Sequence, residues 1–297
     1  MSNIIFVGDV HLKGSSPISR KDNYAEVILN KIRFIRDYAN AIGCTTIIFL
    51  GDIFDTVNTS LQYFSHCLSL FKDISNSGID LYTIVGNHDI RYDSLETLPI
   101  TPLGILLESG AVRLLDNLTI DDVYIQGCHY SNKPIKNTNQ DLYSILLLHR
   151  FYENGFNEEP ITKEDVVELG YDTYILGHDH RPYITITMED PRDIKIIRPG
   201  SLARNSSDQY NKLRKPRILI MDTDTKDFVY EEVPSESGEV IFFEKEVEAQ
   251  VSMSELVEYL KSSYHTSNDS IRSYIDTISI PEDIRDLIKS YLNILGA

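Results

Sequence analysis

Five short apolar runs in this chain end the same way. They are "IIFVGDVH" (4–11), "TIIFLGDIFD" (46–55), "LYTIVGNHDIRYD" (81–93), "SILLLH" (144–149) and "TYILGHDH" (173–180). Each begins as a stretch rich in Ile, Leu, Val, Phe or Tyr, the composition of a strand buried on both faces. Each stops at Asp, Asn or His, in four cases directly after a glycine. A single such ending would read as a turn. Five in one chain imply strands that run in parallel and deliver polar side chains to one edge of a sheet, where open α/β architectures bind their ligands.

The segments between the runs agree. In "NYAEVILNKIRFIRDYANAIG" (23–43), Val27, Ile28, Ile32, Ile35 and Ala39 form one helical stripe and Gly43 marks the stop. A second helix near 60–78 follows the second strand and also closes on a glycine. Strand–helix–strand order of this kind implies crossover connections. From about residue 111 the pattern turns β-rich, with short strands expected at 111–115, 122–127, 182–188, 193–198 and 216–222. An α/β sandwich, two sheets covered by helices, fits this order better than a simple doubly wound sheet.

Seven side chains at the run ends have ligand chemistry: Asp9, His11, Asp52, Asn87, His149, His178 and His180. Seven oxygen and imidazole donors are too many for one tetrahedral ion and suit two divalent ions sharing a carboxylate. The mixed set points to Mn²⁺, Fe or Zn²⁺, not to a thiolate zinc site. Two such ions about 3.5–4 Å apart activate water and clamp a phosphoryl group.

Bulk properties bound the remaining choices. The 297 residues suffice for one large domain, or one domain with a small appendage. No apolar run reaches the ~20 residues of a membrane span. Met1 leads straight into the first run without a signal-peptide pattern. Cys44, Cys67 and Cys128 are far apart with no C-x-x-C pair, so a disulfide framework is not expected and a reducing cytoplasm is. The net charge of −17 argues against a nucleic-acid partner until its distribution is considered. Residues 222–297 hold 17 acids and 6 bases, whereas the segment 195–217 holds seven bases and one acid. That local strip is compatible with a phosphate backbone, although surface lysines and arginines on a hairpin would read the same way.

The ordered blocks D-x-H, G-D-x-x-D, G-N-H-D, a lone His and G-H-D-H resemble those of the calcineurin-like metallophosphoesterase superfamily, over residues 4–222. The resemblance implies a four-layer α-β-β-α metallophosphoesterase sandwich with a short helical C-terminal appendage. It implies that Asp9, His11 and His180 hold one metal, that Asn87, His149 and His178 hold the other, and that Asp52 bridges them. His88 would be the general acid or transition-state stabiliser, with Asp89 orienting it, and Asp55 would brace its loop. The glycine and arginine positions of the protein-phosphatase branch are missing from "GDVHLKG" and "GDIFDTV". The details "DVHLKG", "ILLLHR", "GHDHRPY" and "RPGSLAR" look instead like the SbcD-type DNA double-strand-break repair nucleases and their phage, archaeal and eukaryotic relatives.

That likeness sets the expectations. Residues 1–232 form the nuclease domain, and 233–297 form a small cap or partner-binding region with helices at 252–264 and 279–296. The activity is Mn²⁺-dependent exo- and endonucleolytic cleavage of DNA in recombination or repair. Arg198, Arg204, Lys212, Arg214, Lys215 and Arg217 contact DNA. An SbcC-like, SMC-type ATPase docks through the C-terminal helices, and a homodimer is compatible with the sequence. The rival expectations are a cyclic-nucleotide or other small-substrate phosphodiesterase on the same site, and a non-catalytic scaffold. The latter sits poorly with seven intact ligands.

Overall fold

The structure, a computed structural model, describes residues 2–139, 141–153, 159–188 and 193–243. The two expected tail helices lie outside the described residues. The first half alternates as expected: β1 (Asn3–Val7), α1 (Tyr24–Ala41), β2 (Thr46–Phe49), α2 (Leu61–Asn76) and β3 (Asp80–Thr83). Then come α3 (Pro102–Glu108), β4 (Arg113–Leu114), β5 (Asn117–Ile120), β6 (Val123–Cys128) and β7 (Tyr143–His149). The rest runs α4 (Lys163–Leu169), β8 (Thr173–Gly177), β9 (Tyr183–Met188), β10 (Asp193–Arg198), α5 (Gln209–Leu213), β11 (Arg217–Asp222), β12 (Phe228–Glu232) and α6 (Gly238–Ile241).

The strands form two six-stranded sheets, ordered β12-β11-β1-β2-β3-β4 and β5-β6-β7-β8-β10-β9. Strands β1 to β4 are parallel in the first sheet, and β6, β7, β8 and β10 are parallel in the second. The antiparallel strands lie toward the edges. Alternation along the strands shows the layering. Ile5, Val7, Ile47, Phe49 and Leu81 pack with the buried stripes of α1, α2 and α3. Their neighbours Ile4, Phe6, Ile48 and Leu50 pack between the sheets against Ile145, Leu147, Ile175 and Ile197. On the far face Leu146, Leu148, Tyr174 and Leu176 meet Val166 and Leu169 of α4. The result is the four-layer α-β-β-α sandwich, whose apolar runs are buried because both faces of each central strand are covered.

The helices follow their signals with one exception. Asn23 caps α1 by accepting the Glu26 N–H, and Ser60 caps α2 by accepting the Tyr63 N–H. Leu29 is buried on the α1 stripe where Val27 is only half-buried, and so is Lys31. The Lys31 ammonium donates to the Leu202 carbonyl. Its pKa falls well below the usual lysine value, because burial and the nearby Arg204, Arg214 and Arg20 all disfavour a further charge. Beyond β12 the chain stays packed on the core, with Val233, Ile241 and Phe242 buried.

Candidate metal centre

The carboxyl ends of β1, β2, β3, β7 and β8 meet at one edge of the two sheets. His149 is the last residue of β7, and its Nδ1 lies 2.7 Å from the Leu50 carbonyl just past β2. The His178 N–H, just past β8, donates to Asp9 Oδ1 at 3.0 Å, which ties the second sheet to the turn after β1. The main chains of Val10 and His11 donate to the Asp52 carbonyl at 3.1 and 2.9 Å. These ties hold the ligand-bearing turns in place. His11 (φ 50°), Asp52 (φ 49°) and His178 (φ 78°) all have left-handed backbones. That conformation costs a side-chain-bearing residue on the order of 1–3 kcal/mol and persists only where the surroundings enforce it.

Three groups of donors converge, each with its atoms within 4.8 Å of one another: Asp9, His11 and His180; Asp52, His149 and His178; and His11, Asp52 and His88. Asp52 joins the halves. Its Oδ1 accepts the His88 N–H at 2.9 Å, while its Oδ2 lies 3.3 Å from His149 Nε2 and 3.8 Å from His11 Nε2. Asn87 completes the second half, with Oδ1 at 3.0 Å from His149 Nε2, and His178 Nδ1 stands 3.2 Å from the same nitrogen. In the first half His11 Nε2 and His180 Nε2 are 3.1 Å apart. All seven candidate ligands are therefore brought together.

The donor set fits divalent cations. With Nδ1–H of His149 donating to the Leu50 carbonyl, Nε2 of the neutral ring is a lone pair. That lone pair faces the Asp52 carboxylate, the Asn87 carbonyl oxygen and His178 Nδ1, a cluster that a cation or an added proton would satisfy. Without metal the proton takes that place. Burial alone would lower the His149 pKa, yet Asp52 and Asp9 push it up to about 10. Burial holds His180 down to about 4 and lowers His11 too, so both stay neutral, the form in which imidazole binds metal. The buried His11 Nδ1 has no hydrogen-bond partner.

His88 stands on the His11 side, its ring edge-on to His11 with centroids 4.9 Å apart. Its Nδ1 meets the Asp55 carbonyl at 2.6 Å, which fixes the ring. The expectation that Asp89 orients His88 is corrected. The buried Asp89 carboxylate accepts the Gly86 N–H (3.0 Å) and the Phe54 N–H (3.3 Å), stapling the turn after β3 to the one after β2. Burial, then Asp52, raises its pKa to about 7. Asp55 braces locally, its carboxylate paired with Lys13 at 2.8 Å.

Within the basic strip, the expectation for Arg204 and Arg214 is corrected. Arg204 is buried and donates to the Glu236 and Arg214 carbonyls. Arg214 donates to the Ser201 and Ala203 carbonyls, and Ser201 Oγ in turn donates to the Asp9 carbonyl at 2.9 Å. Arg214 thus anchors the 199–203 loop behind Asp9, and Arg204 ties the chain before it to the 214 and 236 segments, so both guanidinium groups serve the fold. Arg198 stacks on Tyr183 and pairs with Asp179. Lys215 and Arg217 share Glu232. Lys212, half-buried on α5, is placed without a described ion pair. Cations beside the ligands in sequence were missed: Lys13, Arg150 and Arg181, the last exposed and stacked on Tyr210.

Rings were missed too. Phe151 meets the His178 ring edge-on at 4.3 Å, and Tyr130 lies 6.3 Å from both His149 and His178. The signal for Tyr130 was a sixth run ending in a polar residue, "VYIQGCHY" (123–130).

A family model described as calcineurin-like phosphoesterase matches residues 2–182. The chain is 27% identical over 222 residues to an uncharacterized metallophosphoesterase, YhaO, of Bacillus subtilis (strain 168), covering 66% of this chain and 52% of that protein. It is 30% identical over 128 residues to exonuclease subunit 1 of Enterobacteria phage T4, covering 42% of this chain and 35% of that one. A probable cyclic nucleotide phosphodiesterase of Psychrobacter arcticus is 25% identical over 128 residues, 42% of this chain and 44% of its own. The chain thus spans about half the length of these relatives, or less.

Proposed function

The chain belongs to the calcineurin-like phosphoesterase family, and on that premise we propose that it is a dinuclear, Mn²⁺-dependent phosphodiesterase that cleaves DNA as an exo- and endonuclease of the SbcD type. One observation carries the dinuclear reading: the Asp52 carboxylate lies between two half-sites of imidazole and oxygen donors. Bound there, two divalent ions would supply an activated water and neutralise charge on a phosphoryl group. Asp9, His11 and His180 would hold one ion and Asn87, His149 and His178 the other, with Asp52 shared.

The chain's own residues do the rest. Because His88 Nδ1–H is committed to the Asp55 carbonyl, Nε2 is the nitrogen left for proton transfer. Burial would lower the His88 pKa, but Asp52 and the Asp55 carbonyl outweigh it and raise the value above that of an ordinary histidine. When protonated, the ring carries an Nε2 proton to give to the departing sugar oxygen. Lys13, Arg150 and Arg181 stand where a phosphate backbone could approach. The likeness to the phage exonuclease subunit favours DNA as substrate. The likeness to the probable cyclic nucleotide phosphodiesterase is what a small-substrate reading would rest on. The SMC-type ATPase partner and its docking through the tail belong to the same proposal.

The test is a Mn²⁺ assay on end-labelled linear and circular single-stranded DNA, wild type beside His88→Ala, with bis-p-nitrophenyl phosphate in parallel. The proposal expects DNA cleavage by wild type and a roughly 10²–10⁴-fold loss in His88→Ala at unchanged metal content. Hydrolysis of the small diester with DNA left intact would favour the small-substrate reading. Full activity in the variant would remove His88 from its role.

A further inference from the structure

Two aromatic residues, Phe151 and Tyr130, stand against the His149/His178 side of the site, and a third, Tyr92, lies in a turn joined to the loop of Tyr130. Phe151 follows β7 and packs edge-on against His178. Tyr130 follows β6 and is half-buried, its ring tilted 39° to that of His178 and at 80° to that of His149. Its loop is anchored: the Tyr130 N–H donates to the Val85 carbonyl at 2.9 Å. The preceding buried His129 accepts the Val85 N–H and lies 3.2 Å from Asp116. Tyr92 belongs to the turn that follows the Gly-Asn-His-Asp segment, and that turn is joined to the Tyr130 loop where Ser131 Oγ donates to the Asp93 carbonyl.

Tyr92 is out of place by every local rule. It is 84% exposed, so packing does not require it. It has φ 54° and Asp93 has φ 52°, with the Ser94 N–H donating to the Arg91 carbonyl at 3.0 Å. Two consecutive positive φ values inside such a turn favour Asn-Gly, and a bulky ring there is an outlier. A residue that satisfies neither the turn nor the core points to a demand from outside the fold.

We propose that Tyr92 and Tyr130, backed by Phe151, form an aromatic wall beside the His149/His178 half of the site on which the bases of a single-stranded nucleic acid stack. The inference rests on the nuclease reading and deepens it. Stacking on protein rings requires bases released from their duplex partners, and it holds any base because every base has a π-face. The wall would set the strand's path past Asn87 and His149.

The test is a binding measurement, so that it does not depend on turnover. Anisotropy of a dye-labelled oligothymidylate is compared with that of an abasic oligomer of equal length, with Ca²⁺ in place of Mn²⁺. Tyr92→Ser and Tyr130→Leu should each weaken the oligothymidylate by roughly 5- to 150-fold and leave the abasic strand unchanged. Tyr130→Phe should bind as wild type does, and bis-p-nitrophenyl phosphate turnover in Mn²⁺ should be unaltered in all three. Equal weakening of both strands, no weakening, or no oligonucleotide binding by wild type would overturn the proposal. So would loss of small-diester turnover in Tyr130→Leu, which would make Tyr130 a brace for His149 and His178. Base-dependent binding without DNA cleavage would keep the wall and sink the nuclease reading; cleavage indifferent to both substitutions would do the reverse.

Discussion

At the scale of single residues, His149 shows how metal and proton compete for one place. Its Nδ1–H is fixed on the Leu50 carbonyl, and its Nε2 faces Asp52, Asn87 and His178. The metal-free folded pKa of about 10 lies above the ordinary histidine value of 6.5. Below about 10 a metal ion must therefore displace a proton, so apparent Mn²⁺ affinity should climb as pH rises and level off past that value. Near pH 7.5 calorimetry in buffers of different ionisation enthalpy should detect about one proton released from this residue, and His149→Asn should abolish that release. Affinity that stays flat from pH 6.5 to 9 would mean that His149 is not a ligand. That these seven side chains would converge was legible in the sequence, because a buried strand rarely ends in Asp, Asn or His without a task for it. The role of Asp89 was not. Its partners are the main chains of Gly86 and Phe54, and sequence gives no sign of a main-chain contact.

At the scale of elements, the turns after the strands work because the sheets allow close approach. A Cβ on Gly86 would sit 2.2 Å from Asp52 Oδ1 and 2.4 Å from the Asp52 nitrogen, so Gly86→Ala must displace the shared carboxylate. We expect it to lose Mn²⁺ binding and to cost about 3 kcal/mol or more, because the added methyl meets the Asp52 main chain as well as its carboxylate. Gly78, with φ 90° and nothing within 4 Å of an added Cβ, is the control. Gly78→Ala should cost about 1–2 kcal/mol, from its left-handed backbone alone, and keep the metal. Denaturant melts with metal analysis would separate the two, and equal metal loss would contradict the account. In the 195–217 strip, Arg204 and Arg214 are the residues that sequence misrepresented. Charge density there suggested a partner, but burial decides what an arginine does, and Arg204 and Arg214 spend their guanidinium groups on carbonyls. Arg214→Leu should therefore cost about 2–4 kcal/mol of stability. Lys215→Ala on the exposed edge should stay within about 0.5 kcal/mol. A stability-neutral Arg214→Leu that weakened DNA binding would restore the earlier reading.

At the scale of the molecule, the layer order was legible because buried parallel strands and amphipathic helices have different periods. The short edge strand β5 was not, since Asn117–Ile120 is half exposed and carries no continuous apolar run. No helix among the described residues is long and apolar enough to cross a membrane. Two sheets whose carboxyl ends face one another give the site its two halves, one mainly from the first sheet and one shared with the second. That arrangement is the central claim, and anomalous diffraction from crystals grown with Mn²⁺ tests it most directly. The account predicts two peaks about 3.5–4 Å apart, one on each side of the Asp52 carboxylate. The first should be held by Asp9, His11 and His180, the second by Asn87, His149 and His178. A single peak, or two that do not share Asp52, would contradict it.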